Sequence, residues 1–306
     1  MKVKVEMKMK AFDVVILGHF AVDRLVERGQ VRTSSGGAVY YGGLALARLG
    51  FRVAVITKLA ERDFPRLQEL KAEGIEVFAT AAPQTSGMEN IYDETLDHRV
   101  CKPLGFAGPF RLEEVPPLEA RVLLIGPILA GEVDLPLLEE LSERFHRRGA
   151  KVALDLQGFI RFASASGDEV LFRPWPEMAR GLKLIDLLKA DDAEASFLTG
   201  ERDLREAAAQ LAMIGPEEVL LTHARGALVL AEGEFHEAPF QPRELRGRTG
   251  RGDTCFASYV GFRLERPPRE ALQLAAAATS LKLEQPGPFR GGRADLEAFL
   301  GEARGS

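Results

Sequence analysis

The sequence predicts an α/β protein with a doubly wound, mostly parallel sheet, helices on both faces and a small β lid. Short, almost continuous apolar runs alternate with helical patterns, as expected of parallel strands that are buried on both faces. Two polar, strand-like segments near 23–35 and 85–105 interrupt the alternation and predict the lid. No tandem repeat or linker divides the 306 residues, so we expect a single domain spanning 1–306.

The predicted core strands are, in chain order, FDVVILG, RVAVITK, RVLLIGP, KVALDL, LIDLLKA and EEVLLT. Between the third and fourth of these runs, PLLEELSERFHRRG places Leu137, Leu138, Leu141 and Phe145 on one side and charged residues on the other. This pattern predicts an amphipathic helix that ends at Gly149. In such a sheet, ligands bind beyond the carboxyl ends of the strands.

Composition argues against several classes of protein. The 45 acidic residues outnumber the 40 basic ones, and no long basic block is present, so we expect no nucleic-acid partner. The longest apolar runs fall far short of the roughly 18 residues that a membrane span requires. Two cysteines and the lack of a signal-peptide pattern predict a cytoplasmic protein.

The segment GRTGRGDTCFASYVGF, residues 247–262, contains the most informative motif. Because the residues after Gly252 are small and apolar enough for a helix, the preceding glycines form its entrance. Amides at a helix start bind anions, and glycines allow a ligand to approach closely. Asp253 would lie beside the bound anion, which suggests phosphoryl transfer. A plain helix cap and an adhesion tripeptide, Arg251-Gly252-Asp253, are the alternatives; the chain has no P-loop and no histidines at metal-ligand spacing.

TGRGDTCFASY resembles the C-terminal signature of the ribokinase-like sugar kinases, the phosphofructokinase-B family. SGGAVYYGGLALARLG, residues 35–50, is similar to the diglycine segment of that family, and GHFAVD, residues 18–23, to the end of its first strand. KADDAE, residues 189–194, resembles its Asn-x-x-Glu element near magnesium, with an aspartate in the asparagine place. The order is the same over nearly the whole chain, and LDLQGFIR at 154–161 with the paired tyrosines resembles the myo-inositol kinase branch.

The resemblance implies an ATP-dependent kinase that phosphorylates a hydroxyl of a sugar or cyclitol, myo-inositol being the first choice, with Mg²⁺ as cofactor. It implies that Asp253 is the base, and that the amides of Gly250, Arg251 and Gly252 form the anion hole. The implied acceptor-binding residues are Asp23, Gly36, Gly37, Tyr40, Gln157 and Arg161. The implied nucleotide-binding residues are Thr222, Arg225, Gly226 and Thr249, and the implied magnesium residues, acting through water, are Asp191 and Glu194. Expected partners are a polyol, a nucleotide and a second copy of the chain in a homodimer, with no membrane.

The sequence departs from the family pattern at several positions. Gly247 replaces the usual acidic residue, and THARGA is one residue shorter than the nucleotide-side pattern, with Ala224 in place of a glycine. Tyr40 and Tyr41 point about 100° apart on a helix, so only one should reach the ligand. The structural alternatives to these binding roles are that Asp23 is a turn residue and that Asp191 or Glu194 is a solvated charge on a helix. A kinase for another sugar or a nucleoside, or a catalytically weak polyol- or nucleotide-binding regulator, are the functional ones.

Overall fold

The computed structural model describes residues 11–27, 29–92 and 99–305. The strands of this part of the chain are β1 (Ala11–Leu17), β2 (Ala21–Glu27), β3 (Gln30–Gly36), β4 (Val53–Leu59), β5 (Glu76–Ala81), β6 (Gly87–Tyr92), β7 (Arg99–Gly105), β8 (Glu119–Ile125), β9 (Lys151–Asp155), β10 (Arg161–Ala163), β11 (Val170–Phe172), β12 (Leu187–Asp191), β13 (Glu218–His223), β14 (Gly226–Ala231) and β15 (Glu234–Pro239).

Its α-helices are α1 (Ala38–Arg48), α2 (Gln68–Ala72), α3 (Leu135–His146), α4 (Gln157–Ile160), α5 (Met178–Gly181), α6 (Asp192–Thr199), α7 (Leu204–Ala212), α8 (Arg251–Arg263), α9 (Pro268–Leu283) and α10 (Arg293–Gly305). Three 3₁₀ turns cover Glu61–Leu67, Leu112–Glu114 and Leu182–Leu184. The predicted amphipathic helix is α3, which Asp134 caps by accepting a hydrogen bond from the amide of Leu137. None of the helices in the described ranges has the length and apolar character needed to cross a membrane.

The central sheet has nine strands in the order β15-β14-β13-β12-β9-β8-β1-β4-β5. All of its neighbours pair in parallel except the hairpins that join β13, β14 and β15. Strand order reverses between β1 and β8, and ligands bind at such a switch point in doubly wound sheets. The predicted fold class is therefore confirmed.

Two hydrophobic clusters cover the two faces of this sheet. Alternate residues of β1 point to opposite faces, so Val14 and Ile16 belong to one cluster and Val15 and Leu17 to the other. The first cluster includes residues of α1, α8 and α9, and the second includes residues of α3 and α7. Burial on both faces explains why the core strands read as continuous apolar runs.

The polar segments predicted as a lid form a separate four-stranded sheet in the order β3-β2-β6-β7. Position 28 and residues 93–98, inside the predicted segments, lie outside the described residues. Residues that pair directly across neighbouring strands point to the same face of the sheet. Leu25 pairs with Arg32 on one side and with Asn90 on the other, and Asn90 pairs in turn with Cys101. We call the face that carries these four residues the inner lid face. Val31 and Val100, one position away, lie on the outer face and are 53% and 55% exposed.

Candidate active site

The start of α8 is a left-handed turn at Gly250, which has φ 82° and precedes the first helical residue, Arg251. A β-carbon at Gly250 would overlap the ring of Tyr41, so the backbone conformation and the available space both require glycine. Asp253 lies in the first turn of the helix. The structure therefore brings Gly250, Arg251, Gly252 and Asp253 together at one helix entrance, as the sequence predicts.

A buried lysine stands behind this entrance. Lys189, in the middle of β12, donates from Nζ to both oxygens of Asp155, at 3.1 and 2.9 Å. A β-carbon on Gly252 would lie 3.4 Å from Lys189 Nζ, which measures how close the ammonium is to the helix entrance. Burial alone would lower the pKa of Lys189, but the carboxylates of Asp155 and Glu194 outweigh burial and raise it. A fixed positive charge therefore lies beside the predicted anion hole.

Asp191 and Glu194, the predicted magnesium residues, form a capping box at the start of α6. The amide of Glu194 donates to Asp191 Oδ1, and the amide of Asp191 donates to Glu194 Oε2. Arg161 Nη2 lies 3.0 Å from Asp191 Oδ2 and 2.5 Å from Glu194 Oε1. All four carboxylate oxygens are thus engaged by the protein.

These two carboxylates do not fit direct coordination of Mg²⁺, which binds through free oxygen ligands. Among the residues in the described ranges, no group of three or more His, Cys, Asp or Glu side chains is arranged to hold a metal ion. The expectation of solvated helix charges is also wrong for Glu194, which is fully buried. Arg161, predicted to bind the acceptor, is instead anchored by this acidic pair, and a contact with magnesium through water stays a prediction.

Asp23 and the diglycine segment lie together on the other side of the site. Asp23 is inside β2, so the resemblance placed it wrongly at the end of the first strand, and the alternative of a turn residue is also wrong. Its Oδ1 accepts a hydrogen bond from the amide of Met88 at 2.9 Å, and a β-carbon on Gly36 would lie 2.5 Å from its Oδ2. Gly37 precedes α1 with φ 87°. Asp23 and the open end of α1 therefore face one region.

Tyr41, rather than the predicted Tyr40, lies at this site. The Tyr40 hydroxyl donates to Glu69 Oε2 at 2.9 Å, because Tyr40 points toward α2. Burial is the main cause that raises the pKa of the Tyr41 hydroxyl, and the charges of Asp23 and Asp253 raise it further. Tyr41 therefore lies within electrostatic reach of the carboxylates from both halves of the site.

The predicted nucleotide residues do not form one group. Thr222 is buried at the end of β13, and Gly226 begins β14 after a two-residue turn that contains the exposed Arg225. Thr249 instead lines a small hollow beside Tyr41, together with Arg32 of the lid, Lys282 and Arg248. The structure thus groups Thr249 with the lid side of the helix entrance.

Lys282, a residue that the sequence analysis missed, supports the loop before α8. Its Nζ donates to the carbonyl oxygen of Gly247 at 2.8 Å and lies 5.6 Å from the centre of the Tyr41 ring. Burial lowers the pKa of Lys282 to about 7, and the charge of Asp253 offsets part of that effect. The helical pattern around Lys282 is apolar, so no sequence signal separated it from a surface lysine.

A second buried network lies at the switch point between β1 and β8. Glu132 Oε1 accepts from the amides of Ile128 and Leu129, at 2.6 and 2.9 Å, and Oε2 accepts from the amide of His19 at 3.1 Å. His19 Nδ1 is 2.8 Å from Ser86 Oγ, which also accepts from an amide at the end of the lid. Burial lowers the pKa of His19 to about 3 and raises the pKa of Glu132 to about 7. This network joins β1 to both ends of the β6–β7 hairpin.

Gln157 begins α4, directly after the end of β9 and one residue beyond Leu156. The backbone amide of Gln157 donates to Asp155 Oδ1 at 3.1 Å, and Asp155 is the carboxylate that also binds Lys189. The side chain of Gln157 is half-buried. The structure therefore puts Gln157 at the carboxyl edge of the sheet, where the sequence analysis expected it.

Comparison with known proteins adds to this geometry. A model of the pfkB family carbohydrate kinases matches residues 11–291. A cytidine kinase of Thermococcus kodakarensis is 27% identical over 278 residues, covering 86% of this chain and 92% of the relative.

Solved structures give the same result. A pyrophosphate-dependent kinase in the ribokinase family, complexed with a pyrophosphate analog and myo-inositol, has a TM-score of 0.84 and 34% identity, covering 93% of this chain and 99% of the other. A pyrophosphate-dependent myo-inositol-1 kinase, converted into a myo-inositol-3 kinase by replacing an asparagine and a serine with leucine, also scores 0.84 at 34% identity, covering 94% and 99%. Ribokinase of Arabidopsis thaliana with ribose and ATP has a TM-score of 0.75 at 20% identity, covering 95% and 99%, and shares the fold.

Proposed function

The chain belongs to the pfkB family of carbohydrate kinases, and from that premise we propose that it transfers a phosphoryl group from pyrophosphate to a hydroxyl of myo-inositol. The kinase class follows from the family, whose members phosphorylate hydroxyl groups. The acceptor and the donor are the finer parts of the proposal. Each is supported by its own observations.

The observation that carries the proposal is that Tyr41 lies within electrostatic reach of two carboxylates, one from each side of the site. Its ring packs against Gly250 at the start of α8, and the charges of Asp23 and Asp253 both act on its hydroxyl. An acceptor ring in this region would meet Asp23 on the lid side and Asp253 on the helix side. One carboxylate can then hold the ring while the other serves the reacting hydroxyl.

In this mechanism Asp253 accepts the proton of the acceptor hydroxyl as the hydroxyl oxygen attacks one phosphorus of pyrophosphate, the bridging P–O bond breaks and orthophosphate leaves. The amides of Gly250 and Gly252 stabilise the negative charge on the transferring phosphoryl group. The amide of Arg251, which the sequence analysis also assigned to the anion hole, donates instead to the carbonyl oxygen of Arg248 at 3.2 Å. Lys189 adds a fixed positive charge from the strand behind the helix entrance, held in place by Asp155. Magnesium, when bound to the donor, would neutralise part of the phosphate charge.

A cyclitol acceptor fits the mixture of groups on the acceptor side. A ring with hydroxyls on every edge needs both hydrogen-bond donors and acceptors around it. The Asp23 carboxylate accepts hydrogen bonds, and the side-chain amide of Gln157 both donates and accepts them. The backbone amides at the start of α1, near Gly37, donate hydrogen bonds.

Pyrophosphate fits the donor side better than a nucleotide does. The β13–β14 turn has only two residues, and Arg251 Nη1 donates to the carbonyl oxygen of Ala224 within it at 3.4 Å. The guanidinium therefore reaches toward the turn that the sequence analysis assigned to a nucleotide. Arg225 and Arg251 both act electrostatically on His223 at the end of β13, so two guanidinium groups lie in this region, which favours a small, highly charged anion. The solved neighbours at 34% and 35% identity are pyrophosphate-dependent.

The test is a comparison of kcat/KM for pyrophosphate and ATP, each with Mg²⁺ and each against myo-inositol, ribose, fructose, fructose 6-phosphate and cytidine. We expect myo-inositol with pyrophosphate to exceed every other pair by about tenfold or more, because unpaired polar groups penalise a poorer acceptor. An advantage of ATP of that size would reject the donor. A similar advantage of cytidine, the substrate class of the Thermococcus relative, or of a phosphosugar would reject the acceptor.

Gln157→Ala is the matched variant for the acceptor. We expect this variant to raise KM for myo-inositol by about tenfold while KM for pyrophosphate stays unchanged, since the side-chain amide of Gln157 would contact only the acceptor. A rise in the donor KM alone would place Gln157 on the donor side instead. Family membership would be unaffected by any of these results.

A further inference from the structure

A fully buried lysine lies beside the loop that leads into the helix entrance. Lys282 is in the last turn of α9 and is 0% exposed, although a lysine is almost never buried so completely without a partner. Its Nζ donates to the carbonyl oxygen of Gly247 at 2.8 Å. That carbonyl lies three residues before Gly250, so this contact directs the buried charge to the loop.

Lys282 is linked to both ends of the loop formed by residues 247–250. At the first end, α9 binds Gly247 twice, because the carbonyl oxygen accepts from Lys282 and the amide donates to the carbonyl oxygen of Leu283 at 3.0 Å. At the other end, the ring of Tyr41 fills the space beside Gly250, and the centre of that ring lies 5.6 Å from Lys282 Nζ. An ammonium at this distance is attracted to the ring. The side chain of Lys282 therefore joins the two ends.

The loop is continuous with the first turn of α8. The amide of Arg251 donates to the carbonyl oxygen of Arg248 at 3.2 Å. A β-carbon on Gly247 would lie 2.2 Å from the carbonyl oxygen of Gln285, so the loop also packs directly against the backbone that follows α9. A displacement at Gly247 should therefore shift the helix entrance, since a hydrogen-bonded turn connects the two.

We propose that Lys282 is a positioning residue for phosphoryl transfer, whose ammonium holds the loop 247–250 in the arrangement that the anion hole requires. The inference rests on the proposed function, because it assumes that the phosphoryl group is transferred at the start of α8, but it applies to any donor and acceptor. A neutral amine would lose the attraction to the Tyr41 ring and the added strength of a charged donor at Gly247. The loop would then be held more weakly, and the barrier to transfer should rise.

The charge on Lys282 should depend on pH near neutrality. The charged and titratable groups that surround it are Asp253 and Arg251 on α8, Arg32 on β3, Tyr41 on α1 and Arg248 in the loop. Burial lowers the pKa of Lys282 to about 7; the carboxylate opposes this effect, and the arginine charges on α8 and β3 add to it. The guanidinium groups stay charged, and burial raises the pKa of the Tyr41 hydroxyl, so neither kind of group loses a proton between about pH 7 and 9.

Activity and stability should therefore respond to pH in opposite directions. The folded protein loses the ammonium as pH rises through about 7, so kcat should fall. The unfolded chain keeps the proton up to the ordinary pKa of 10.5, so between these values the unfolded state holds more protons than the folded state. The contribution of Lys282 to the free energy of unfolding then rises with pH. A loss of turnover above about pH 7 would thus not result from unfolding at this residue.

The first experiment compares Lys282→Met with the wild type at about pH 6, where the ammonium predominates. We expect kcat to fall by about tenfold to a hundredfold while KM for myo-inositol and for pyrophosphate changes less than about twofold, because a displaced anion hole affects the transition state most. The variant should be at least as stable in urea, since it removes a buried charge. Lys183→Met, at an exposed lysine in the 3₁₀ turn before β12, is the matched control and should keep wild-type kcat.

Lys282→Gln separates the charge from the hydrogen bond, because its side-chain amide is a neutral donor. We expect it to lose kcat as Lys282→Met does. Near wild-type kcat in either variant would overturn the proposal. Loss of folding in both variants would assign Lys282 a purely structural role and would also overturn it.

The second experiment records kcat and urea unfolding of the wild type and of Lys282→Met between about pH 6 and 9. The ratio of wild-type to variant kcat should fall toward one as pH rises, because the neutral amine resembles the variant. The stability of the wild type relative to the variant should rise over the same range. A kcat ratio that does not change with pH would reject the role of the charge.

The two proposals fail in different ways. A wild type that turns over no pair of donor and acceptor would reject the proposed function and this inference with it. A wild type that prefers another pair would correct the substrates, and the variants are then measured with that pair. Turnover that persists in folded Lys282→Met and Lys282→Gln would reject the role of Lys282 alone.

Discussion

Gly250 shows how a single residue meets two demands at once. Its φ of 82° is a conformation that side chains other than glycine rarely adopt, and the ring of Tyr41 occupies the space that a β-carbon would need. The sequence predicted the glycine from the anion-binding motif. In this chain a glycine is required also because the ring of Tyr41, more than 200 positions earlier in the sequence, packs against it.

We predict that Asp253→Asn lowers kcat by roughly 10²-fold or more, about 3 kcal/mol of barrier, while acceptor binding and folding persist. The amide keeps the shape of the side chain but cannot accept the proton of the attacking hydroxyl. Steady-state kinetics and a thermal melt measure the two properties. Asp13→Asn is the control and should keep full activity, because Asp13 lies near the amino end of β1, away from the carboxyl edge of the sheet. Near-normal turnover of a folded Asp253→Asn protein would exclude the role.

We predict that Glu132 makes stability depend on pH. Burial raises its pKa in the folded protein to about 7 from 4.5, so between these values the folded state holds a proton that the unfolded state has lost. The free energy of unfolding therefore falls as pH rises through this range, by about 3 kcal/mol if Glu132 acts alone. Glu132→Gln has no titrating group there.

The measurement for Glu132 is urea unfolding of the wild type and of Glu132→Gln at several pH values between about 4.5 and 8. Because all other groups are shared, the difference between the two proteins isolates the carboxyl. The stability of the wild type relative to the variant should decrease as pH rises. A constant difference, or an increase, would contradict the shifted pKa.

At the level of elements, the helix starts around the candidate site have caps that differ in kind. α6 is closed by the reciprocal hydrogen bonds of Asp191 and Glu194. α1 and α8 begin at glycines that give no side-chain cap, although the amide of Arg251 at the start of α8 donates to the carbonyl oxygen of Arg248 at 3.2 Å. The sequence pattern of α6 suggested a magnesium site, whereas the structure uses the same residues to close a helix and to anchor Arg161.

We predict that Gly250→Ala destabilises the protein by about 1–3 kcal/mol and abolishes most turnover, because a β-carbon displaces Tyr41 or the turn. Gly149→Ala is the matched control. It has a similar φ of 74°, but a β-carbon there would meet nothing within 4 Å. That control should show only the cost of the backbone conformation and keep activity. Equal losses in both variants would mean that contact with Tyr41 is unimportant.

We predict that the lid sheet closes over bound acceptor. Myo-inositol should slow amide hydrogen exchange in the described parts of 23–35 and 85–105 more than in α3, which packs on the far face of the sheet. The reason is that the inner lid face would contact the ligand while α3 would not. Exchange measured by mass spectrometry with and without myo-inositol tests this. Uniform protection, or none, would argue against closure.

At the level of the whole molecule, the site lies where separate parts of the chain meet. The central sheet supplies Lys189 and Asp155, the lid supplies Asp23, and the helix entrance supplies Asp253. The Glu132 network ties β1 to the ends of the β6–β7 hairpin. Ligand binding should therefore depend on the residues that contact the ligand and also on the contacts that hold the two sheets together.

We predict that the chain forms a homodimer through the outer lid face, where Val31 and Val100 are more than half exposed. Covering these side chains would bury apolar surface that the single chain leaves in water. Light scattering should give twice the mass of the chain, and Val100→Lys should give a monomer that still folds. Lys102→Ala, on the same strand and face, is the control. A monomeric wild type would reject the predicted homodimer.

The sequence by itself determined the sheet, the lid strands and the helix entrance at Gly250 to Asp253. Strand burial and helix periodicity are local properties, and the glycine-rich entrance is a contiguous motif, so both are readable along the chain. Only the tertiary structure decided that Tyr41 rather than Tyr40 packs against Gly250, that Arg161 pairs with Asp191 and Glu194, and that Lys282 supports the loop before α8. Each of these depends on contacts between residues far apart in sequence, and a side chain's partners are set by packing and burial, which a linear pattern does not contain.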